Sequence, residues 1–188
     1  MKKEILERYE RSGEGEIIVD ISAKNIEDLY SNFDKKSHFM KKDLNQDLAE
    51  YIIDCVRELD GEDFIIRFNF ESKEESDSIS RITNSINRFF TYLQEHEHRN
   101  MQEMRKKSSI LFFVGLFIAA TSVFMSQSEW IQNSIVFGVL AEGLTVAAWV
   151  SLWEALATFL VKWMPYKKKI LLFKRIANAK IIFNFSVA

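Results

Sequence analysis

The chain has 188 residues, of which 47% are hydrophobic and 28% charged, and its formal net charge is −2. One proline and six glycines exclude a collagen-like chain, sixteen phenylalanines argue against disorder, and a single cysteine excludes an intrachain disulfide framework. The charge is unevenly distributed, since residues 1–80 carry −9, residues 81–107 +3, residues 108–161 −3 and residues 162–188 +7. This distribution predicts an acidic domain, a nearly uncharged segment and two basic flanks.

The N-terminal residues predict a small α/β domain. Residues 15–22 and 63–70 are rich in β-branched and aromatic side chains and are bounded by turn signals, so they predict two strands. Helices are expected between them, over residues 25–33 and 43–59, and a helical crossover of this kind favours a parallel pair. Cys55 lies on the apolar stripe of the second helix and is expected to be a core thiol.

A long helix is expected to lead from this domain into the uncharged segment. Residues 76–107 contain no glycine or proline, so the helix can run unbroken as a stalk. Residues 108–128 are 21 residues without a charge, and as a helix they span about 31 Å, close to the hydrocarbon thickness of a bilayer. A second span is expected over residues 131–155, which gives a transmembrane hairpin within residues 108–161. A buried hairpin in a soluble core is disfavoured because so short a chain could hardly cover it.

Basic residues flank both spans, and none lies in the link between them. Arg105, Lys106 and Lys107 precede the first span. A lipid head-group collar is expected after the second span, formed by Lys167, Lys168, Lys169, Lys174 and Arg175. The positive-inside rule therefore predicts that both termini are cytoplasmic. Contact with anionic lipid is favoured over nucleic acid, which the acidic domain would repel.

A turn near Glu129 would set the depth of the two acids in the second span. It would place Glu154 beside Arg105, Lys106 and Lys107, and would make this group an interfacial contact between the hairpin and the domain. An aromatic belt is expected around this contact, formed by Trp149, Trp153 and Trp163.

The same turn would place Glu142 opposite Leu116, near mid-bilayer. A carboxylate there costs roughly 2.5–3.5 kcal/mol on insertion scales, which makes Glu142 the intramembrane functional candidate. Three interpretations remain open: a protonated carboxyl within a helix interface, a lining of a water-filled path between copies, or a register that moves it toward an interface. Its candidate local partners are Thr121, Ser122 and Thr145. Small residues nearby favour a homo-oligomer, namely Gly138, Ala141, Gly143, Ala147 and Ala148.

The segment after the hairpin is expected to complete the cytosolic domain. Pro165 predicts a break, a basic helix follows over residues 167–179, and a third strand over residues 180–187. The predicted organisation is a cytosolic α/β domain and stalk helix over residues 1–107, the hairpin, and a returning helix and strand over residues 162–188. The fold class is thus a small α/β (α+β) domain of about three strands with flanking helices, interrupted by a two-helix transmembrane hairpin.

The sequence carries no recognised catalytic motif. It has no glycine-rich phosphate loop, and His96 and His98 lie about 200° apart around a helix, so they cannot ligate one metal from a single face. His38 lies in a polar connection. We therefore expect no catalytic residue, no metal, no cofactor and no enzymatic activity.

The end of the second span resembles a group of small bacterial inner-membrane proteins of unknown function. The resemblance rests on residues 148–169, where the matching positions are Trp149, Trp153, Glu154, Trp163 and Pro165. It implies a multi-pass protein of the bacterial inner (plasma) membrane, and a role for Glu154 in fixing the hairpin to the domain. It lends no activity and no cofactor.

Two functions are expected from these features. The first is a regulatory or membrane-perturbing effector, whose hairpin forms a homo-oligomer in the lipid bilayer and whose domain binds a cytosolic protein or a small-molecule ligand. The alternative is a non-enzymatic membrane scaffold that anchors the acidic domain for a protein partner.

Overall fold

A computed structural model describes residues 4, 6–31, 43–71, 76–127 and 135–185. Its elements, in chain order, are β1 (Ile17–Ala23), α1 (Gln46–Glu58), β2 (Phe64–Phe70), α2 (Ser76–Gln127), α3 (Ile135–Ala157), α4 (Trp163–Ala177) and β3 (Lys180–Phe185). The chain divides into two compact units, an α/β unit of residues 1–95 with 169–188 and a hairpin unit of residues 96–168.

The three strands form one parallel sheet in the order β1-β2-β3. Asp20 of β1 lies opposite Arg67 of β2, which in turn lies opposite Ile182 of β3. Parallel neighbours need a long crossover connection. The first crossover contains α1, and the second contains the whole hairpin. The mixed α/β class and the parallel β1–β2 pair are therefore confirmed, and the hairpin is an insertion between two neighbouring strands.

The core of the α/β unit lies on one face of this sheet. Alternate residues of β2 point into it, and Ile66 and Phe68 are fully buried there. The rings of Phe68 and Phe183 stack with centroids 5.8 Å apart, so aromatic pairing joins the two strands. Helices α1, α2 and α4 contribute further buried residues to the same cluster, namely Ile52, Val56, Ile82, Ile86, Phe90, Phe173 and Ile176. The unit is thus a two-layer α/β arrangement.

The helix expected over residues 25–33 is wrong. The structure has a single 3₁₀ turn, Ile26–Leu29, and residues 32 and 33 lie outside the described part of the chain. Tyr30 is extended and forms an antiparallel bridge with Leu44, and it is only 1% exposed. Burying Leu29 and Tyr30 side by side favours an extended Tyr30, which ends the helix after one turn.

The helix continues through Pro165, so the predicted break is wrong. The π-helical turn Thr158–Lys162 directly follows α3, and α4 begins at the next residue, Trp163. A proline in a regular helix clashes with the carbonyl four residues earlier, here that of Val161. Val161 belongs to the π turn, whose wider backbone relieves that clash. The expected stalk is confirmed in its continuity, because α2 is one helix of 52 residues.

Candidate functional site

Small residues line the contact between α2 and α3 at seven-residue intervals. On α2 these residues are Ser108, Gly115 and Ser122, and on α3 they are Ala141, Ala148 and Ala155. All six are buried. A strict seven-residue repeat of interface positions is typical of helices that pack side by side along their length, and small side chains allow the backbones to approach closely.

Two serine hydroxyls fix the register of this contact. Ser108 donates its Oγ hydrogen to the carbonyl oxygen of Ala155 (2.9 Å), and Ser122 donates to that of Ala141 (2.8 Å). Between these pairs, a Cβ placed on Gly115 would lie 3.0 Å from Cβ of Ser151. Only glycine therefore allows this approach without a shift of the neighbour.

Large apolar side chains of the hairpin point outward. Phe117 is 74% exposed, Phe124 76% and Val136 75%. Only 17% of the most apolar window of the first helix and 11% of that of the second are buried. A soluble helical hairpin buries its large apolar residues, and this one buries its small ones. Two helices are long and apolar enough to cross a membrane. One is Ile79–Gln127 within α2, and the other is Ile135–Ala177, which comprises α3, the π turn and α4.

The predicted register of Glu142 against α2 is wrong. Because Ser122 contacts Ala141 and the helices run in opposite directions, Glu142 lies level with Thr121 and not with Leu116. Relative to α2, this displacement of five residues moves it about 7.5 Å toward the turn. The turn itself, with Glu129 and Trp130, lies outside the described residues.

The predicted partners of Glu142 bind other groups. Thr121 donates to the carbonyl of Phe117, and Ser122 and Thr145 share a hydrogen bond of 2.6 Å. Glu142 is exposed, and it makes no hydrogen bond or ion pair with any residue that the structure describes. Of the five small residues predicted to allow contact between copies, Ala141 and Ala148 are buried in the contact between α2 and α3 of one chain. Gly138 and Gly143 face open space in the described chain.

Glu154 pairs with Lys162 (2.6 Å) across the π turn, and not with the basic residues that precede the first span. The register explains the change, since Glu154 lies level with Ser109 and thus deeper in the hairpin than expected. Among the described residues, Arg105, Lys106 and Lys107 make no ion pair. The predicted role of Glu154 as a contact with the domain stays a prediction.

The aromatic and basic residues near this pair have different surroundings. Trp149 and Trp153 are 61% and 64% exposed. Trp163 donates its indole hydrogen to the carbonyl of Leu160 (3.1 Å), and Lys167 lies 5.3 Å from its ring centroid. Arg175 belongs to the α/β unit. The remaining collar residues are exposed, namely Lys167, Lys168, Lys169 and Lys174.

A cleft of about 420 Å³ opens in the hairpin unit beyond the Ser108–Ala155 contact. The α2 helix and the segment around the π turn form its two walls. Its lining residues are Asn100, Glu103, Met104, Lys107, Ser108, Leu111, Glu154, Thr158, Lys162 and Tyr166. The repeat of small residues stops at this level, because its next positions carry the larger side chains of Met101 and Lys162.

A second cleft, of about 510 Å³, lies in the α/β unit between α1, β1 and the N-terminal segment. Four residues of α1 at helical spacing form one wall, and the other walls come from β1 and residues 8–10. Its lining residues are Arg8, Tyr9, Glu10, Ile18, Asp20, Tyr51, Asp54, Cys55 and Glu58. Cys55 is a free buried cysteine and belongs to the hydrophobic core, as expected, although its α1 face also borders this cleft.

Polar contacts hold the walls of this second cleft. Arg67 donates to both carboxylate oxygens of Asp20 (2.5 and 2.7 Å) and to Glu10 (2.6 Å). Tyr9 donates its hydroxyl hydrogen to Glu58 (2.8 Å). The Arg67 guanidinium holds the pKa of Asp20 below its usual range. Burial, together with the hydrogen bond to Glu58, raises the pKa of Tyr9.

Sequence reasoning missed both clefts. The spacing of Tyr51, Asp54 and Glu58 on one side of α1 was a detectable signal for one wall. The opposite wall depends on an antiparallel bridge between Arg11 and Ile17, which no local pattern indicates.

No family model, no curated protein and no solved structure matches the chain. The resemblance to small bacterial inner-membrane proteins therefore stays a prediction.

Proposed function

We propose that this chain is an integral membrane protein, in which the α2–α3 hairpin crosses the bilayer and anchors the α/β unit at the cytoplasmic surface. The inverted burial of the hairpin carries this proposal. Side chains such as Phe117 and Phe124 are exposed while Ser108, Gly115 and Ala148 are buried, and hydrocarbon is the solvent that this surface suits. The bacterial inner membrane is the compartment that the sequence resemblance favours.

Lysines at one end of the hairpin support a topology with both termini in the cytoplasm. Lys107 precedes the uncharged part of α2 and Lys162 follows that of α3, while α2 ends in polar residues without a lysine or arginine. The positive-inside rule assigns the lysine-rich end to the cytoplasm.

Cysteine labelling tests insertion and topology together. In a Cys55→Ser background, Gln127→Cys is expected to react with a membrane-impermeant maleimide added to intact spheroplasts, and Glu14→Cys only after lysis. Both positions are exposed in the structure. Release of the protein from membranes by alkaline carbonate, or labelling of both positions in intact spheroplasts, would contradict the proposal.

The second cleft, which lies in the α/β unit, is the proposed ligand site of the membrane-anchored protein. Glu10, Asp54 and Glu58 line the cleft together with Tyr9 and Tyr51, and its carboxylates outnumber its one arginine, Arg8. Carboxylates beside aromatic rings suit a cationic ligand such as a lysine-rich segment of a partner. This supports a regulatory or scaffolding role without catalysis.

A lysine-rich peptide serves as the probe, with the full-length protein in detergent. Asp54→Asn is expected to weaken binding by about fivefold, as loss of a charge pair of about 1 kcal/mol would do. Glu50→Gln is the matched control, because Glu50 is exposed on α1 outside the cleft. Equal weakening by both variants would show general attraction to the acidic unit and no defined site.

The carboxyl of Glu142, which bonds to no residue in the described part of the chain, supports self-association of the hairpin as part of the effector function. A carboxyl near the outer end of the hairpin would gain a hydrogen bond with a second copy of the chain. Glu142→Gln keeps a hydrogen-bonding group of similar shape, and Glu142→Leu does not. We expect cross-linked oligomers in detergent for the wild type and Glu142→Gln but fewer for Glu142→Leu. If all three behave alike and membrane potential is unaffected on overexpression, the scaffold alternative is favoured.

A further inference from the structure

We propose that the cleft of the hairpin unit binds the head group of a phospholipid that carries both a phosphate and a primary amine, the phosphatidylethanolamine class. This rests on the proposed insertion of the hairpin in a bilayer. The cleft lies between the two helices at the end where the lysines are found, and residues of both helices line it. A bilayer would place a lipid head group at this level.

The polarity of the cleft changes along the helix axis in the order that a phospholipid requires. On α2, Leu111 lies nearest the uncharged segment, Lys107 follows about one turn away, and Glu103 lies one further turn toward the cytoplasmic end. A phospholipid entering from the hydrocarbon presents its acyl chains first, then phosphate, then amine. Leu111, Lys107 and Glu103 match these three parts in sequence.

Two of these side chains have unused bonding capacity. Among the described residues, Lys107 and Glu103 make neither an ion pair nor a hydrogen bond. On the opposite wall, Lys162 is bound to Glu154, and that pair is half exposed at the cleft. An anionic head group alone would satisfy Lys107 but would face two carboxylates, Glu103 and Glu154. A zwitterionic head group offers a partner to each sign of charge, and a primary amine, unlike a quaternary ammonium, also donates hydrogen bonds to the carboxylates.

Side-chain size and the π turn together account for the cleft between the helices. Ser108 and Ala155 form the last pair of small residues in the contact, and the next repeat position on each helix carries a large side chain. The π turn Thr158–Lys162 then forms one wall. Such turns commonly occur at functional sites, where they reposition side chains that a regular helix would direct elsewhere.

Native mass spectrometry of the full-length protein in detergent tests this inference. Phosphatidylethanolamine, phosphatidylglycerol and phosphatidylcholine with identical acyl chains are added in turn, and free phosphoethanolamine serves as a probe without acyl chains. We expect phosphatidylethanolamine to be retained about fivefold better than phosphatidylglycerol, which lacks the amine. Binding of free phosphoethanolamine equal to that of the lipid would reduce the site to one for the soluble head group and overturn the lipid assignment.

Variants separate the cleft from general attraction to lipid. Lys107→Gln is expected to lower phosphatidylethanolamine binding about fivefold, and Glu103→Gln to remove the preference over phosphatidylglycerol. Lys106→Gln is the matched control, since Lys106 is exposed next to Lys107 but does not line the cleft. Equal effects of Lys106→Gln and Lys107→Gln, or equal binding of all three lipids, would overturn the proposal. Carbonate extraction tests membrane insertion separately from the head-group site. A protein that resists extraction but shows no lipid preference contradicts only the head-group site.

Discussion

The hydroxyl of Ser108 donates a hydrogen bond to the carbonyl oxygen of Ala155, 47 residues later in the chain (2.9 Å). Ser122 makes the same contact with Ala141, and each pair is separated from the other by fourteen residues on both helices. The two helices therefore keep one register over this length. That register moves Glu142 toward the turn and moves Glu154 away from Arg105, so one pair of serines determines the placement of both acids.

Disulfide formation distinguishes this register from the one that the sequence predicts. In a Cys55→Ser background, Ser108→Cys with Ala155→Cys is expected to cross-link under mild oxidation, because both side chains are buried at the same level of the interface. Ser108→Cys with Val150→Cys is the matched control, since position 150 faces Ser108 only if the turn centres near Glu129. Efficient cross-linking of the control pair with none of the first would restore the predicted register and the mid-bilayer position of Glu142.

Enlarging Gly115 is expected to separate the helices. A Cβ there lies 3.0 Å from Ser151 and 3.2 Å from Leu152, so leucine at this position requires backbone movement. We expect Gly115→Leu to destabilise the hairpin by about 1–3 kcal/mol, measured by tryptophan fluorescence during titration with a denaturing detergent. All four tryptophans lie in residues 130–163, so the signal reports on the hairpin.

Gly143→Leu is the matched control for that variant. A Cβ on Gly143 meets no described atom within 4 Å, and the added side chain would extend from the hairpin surface. The two variants should therefore differ clearly in stability. If Gly143→Leu destabilises the hairpin as much as Gly115→Leu, the contact at Gly115 does not hold the two helices together.

The sequence predicts those parts of the fold that local patterning determines. Alternation in β2 identifies its core face, because Phe64, Ile66 and Phe68 recur with the period of a strand. The absence of glycine and proline between residues 76 and 107 similarly predicts a continuous α2. Hydropathy locates both long helices, because a span of this length needs no knowledge of what packs against it.

The register and the clefts were not predictable in this way. Ser108 and Ala155 face each other only because a repeat on one helix meets a repeat on another, and counting from an assumed turn missed their pairing by five residues. Tyr30 ends its helix because it bridges to Leu44. Such outcomes depend on contacts distant in sequence, which local propensity does not determine.

Arg175 is expected to stabilise the α/β unit, whereas the sequence predicted a lipid contact for it. Its guanidinium donates to the carbonyl of Glu62 (2.6 Å) and lies 5.3 Å from the ring centroid of Phe64, so it connects α4 to the start of β2. We expect Arg175→Gln to lower the free energy of unfolding of this unit by about 1–2 kcal/mol.

The buried thiol of Cys55 provides the measurement for that variant. It is the only cysteine and is 6% exposed, so its reaction with a thiol reagent in increasing urea reports on unfolding of the α/β unit. Lys174→Gln is the control, because Lys174 is exposed on the same helix. Equal urea midpoints for Arg175→Gln and the wild type would show that Arg175 does not stabilise the α/β unit, and would favour the predicted lipid contact.

The Asp20–Arg67 pair is expected to make the stability of the α/β unit depend on acid pH. Arg67 lowers the pKa of Asp20 below its unfolded value of about 3.9. A carboxyl of this kind contributes stability above its unfolded pKa, and the contribution is lost as the pH falls through the folded pKa. Since the Asp20 side chain is 38% exposed, solvent screening limits the effect to about 1 kcal/mol. Asp20→Asn should therefore be less stable than the wild type at pH 7, and the difference should shrink below about pH 4.

Labelling of Cys55 with 2,2′-dipyridyl disulfide, which reacts with thiols in acid, measures the urea midpoints of the wild type and of Asp20→Asn. A difference that stays constant from pH 7 to pH 3 would show that the ionised carboxylate of Asp20 does not stabilise the sheet, and that Asp20→Asn acts through the shape of the hydrogen-bonded group with Arg67 and Asn69.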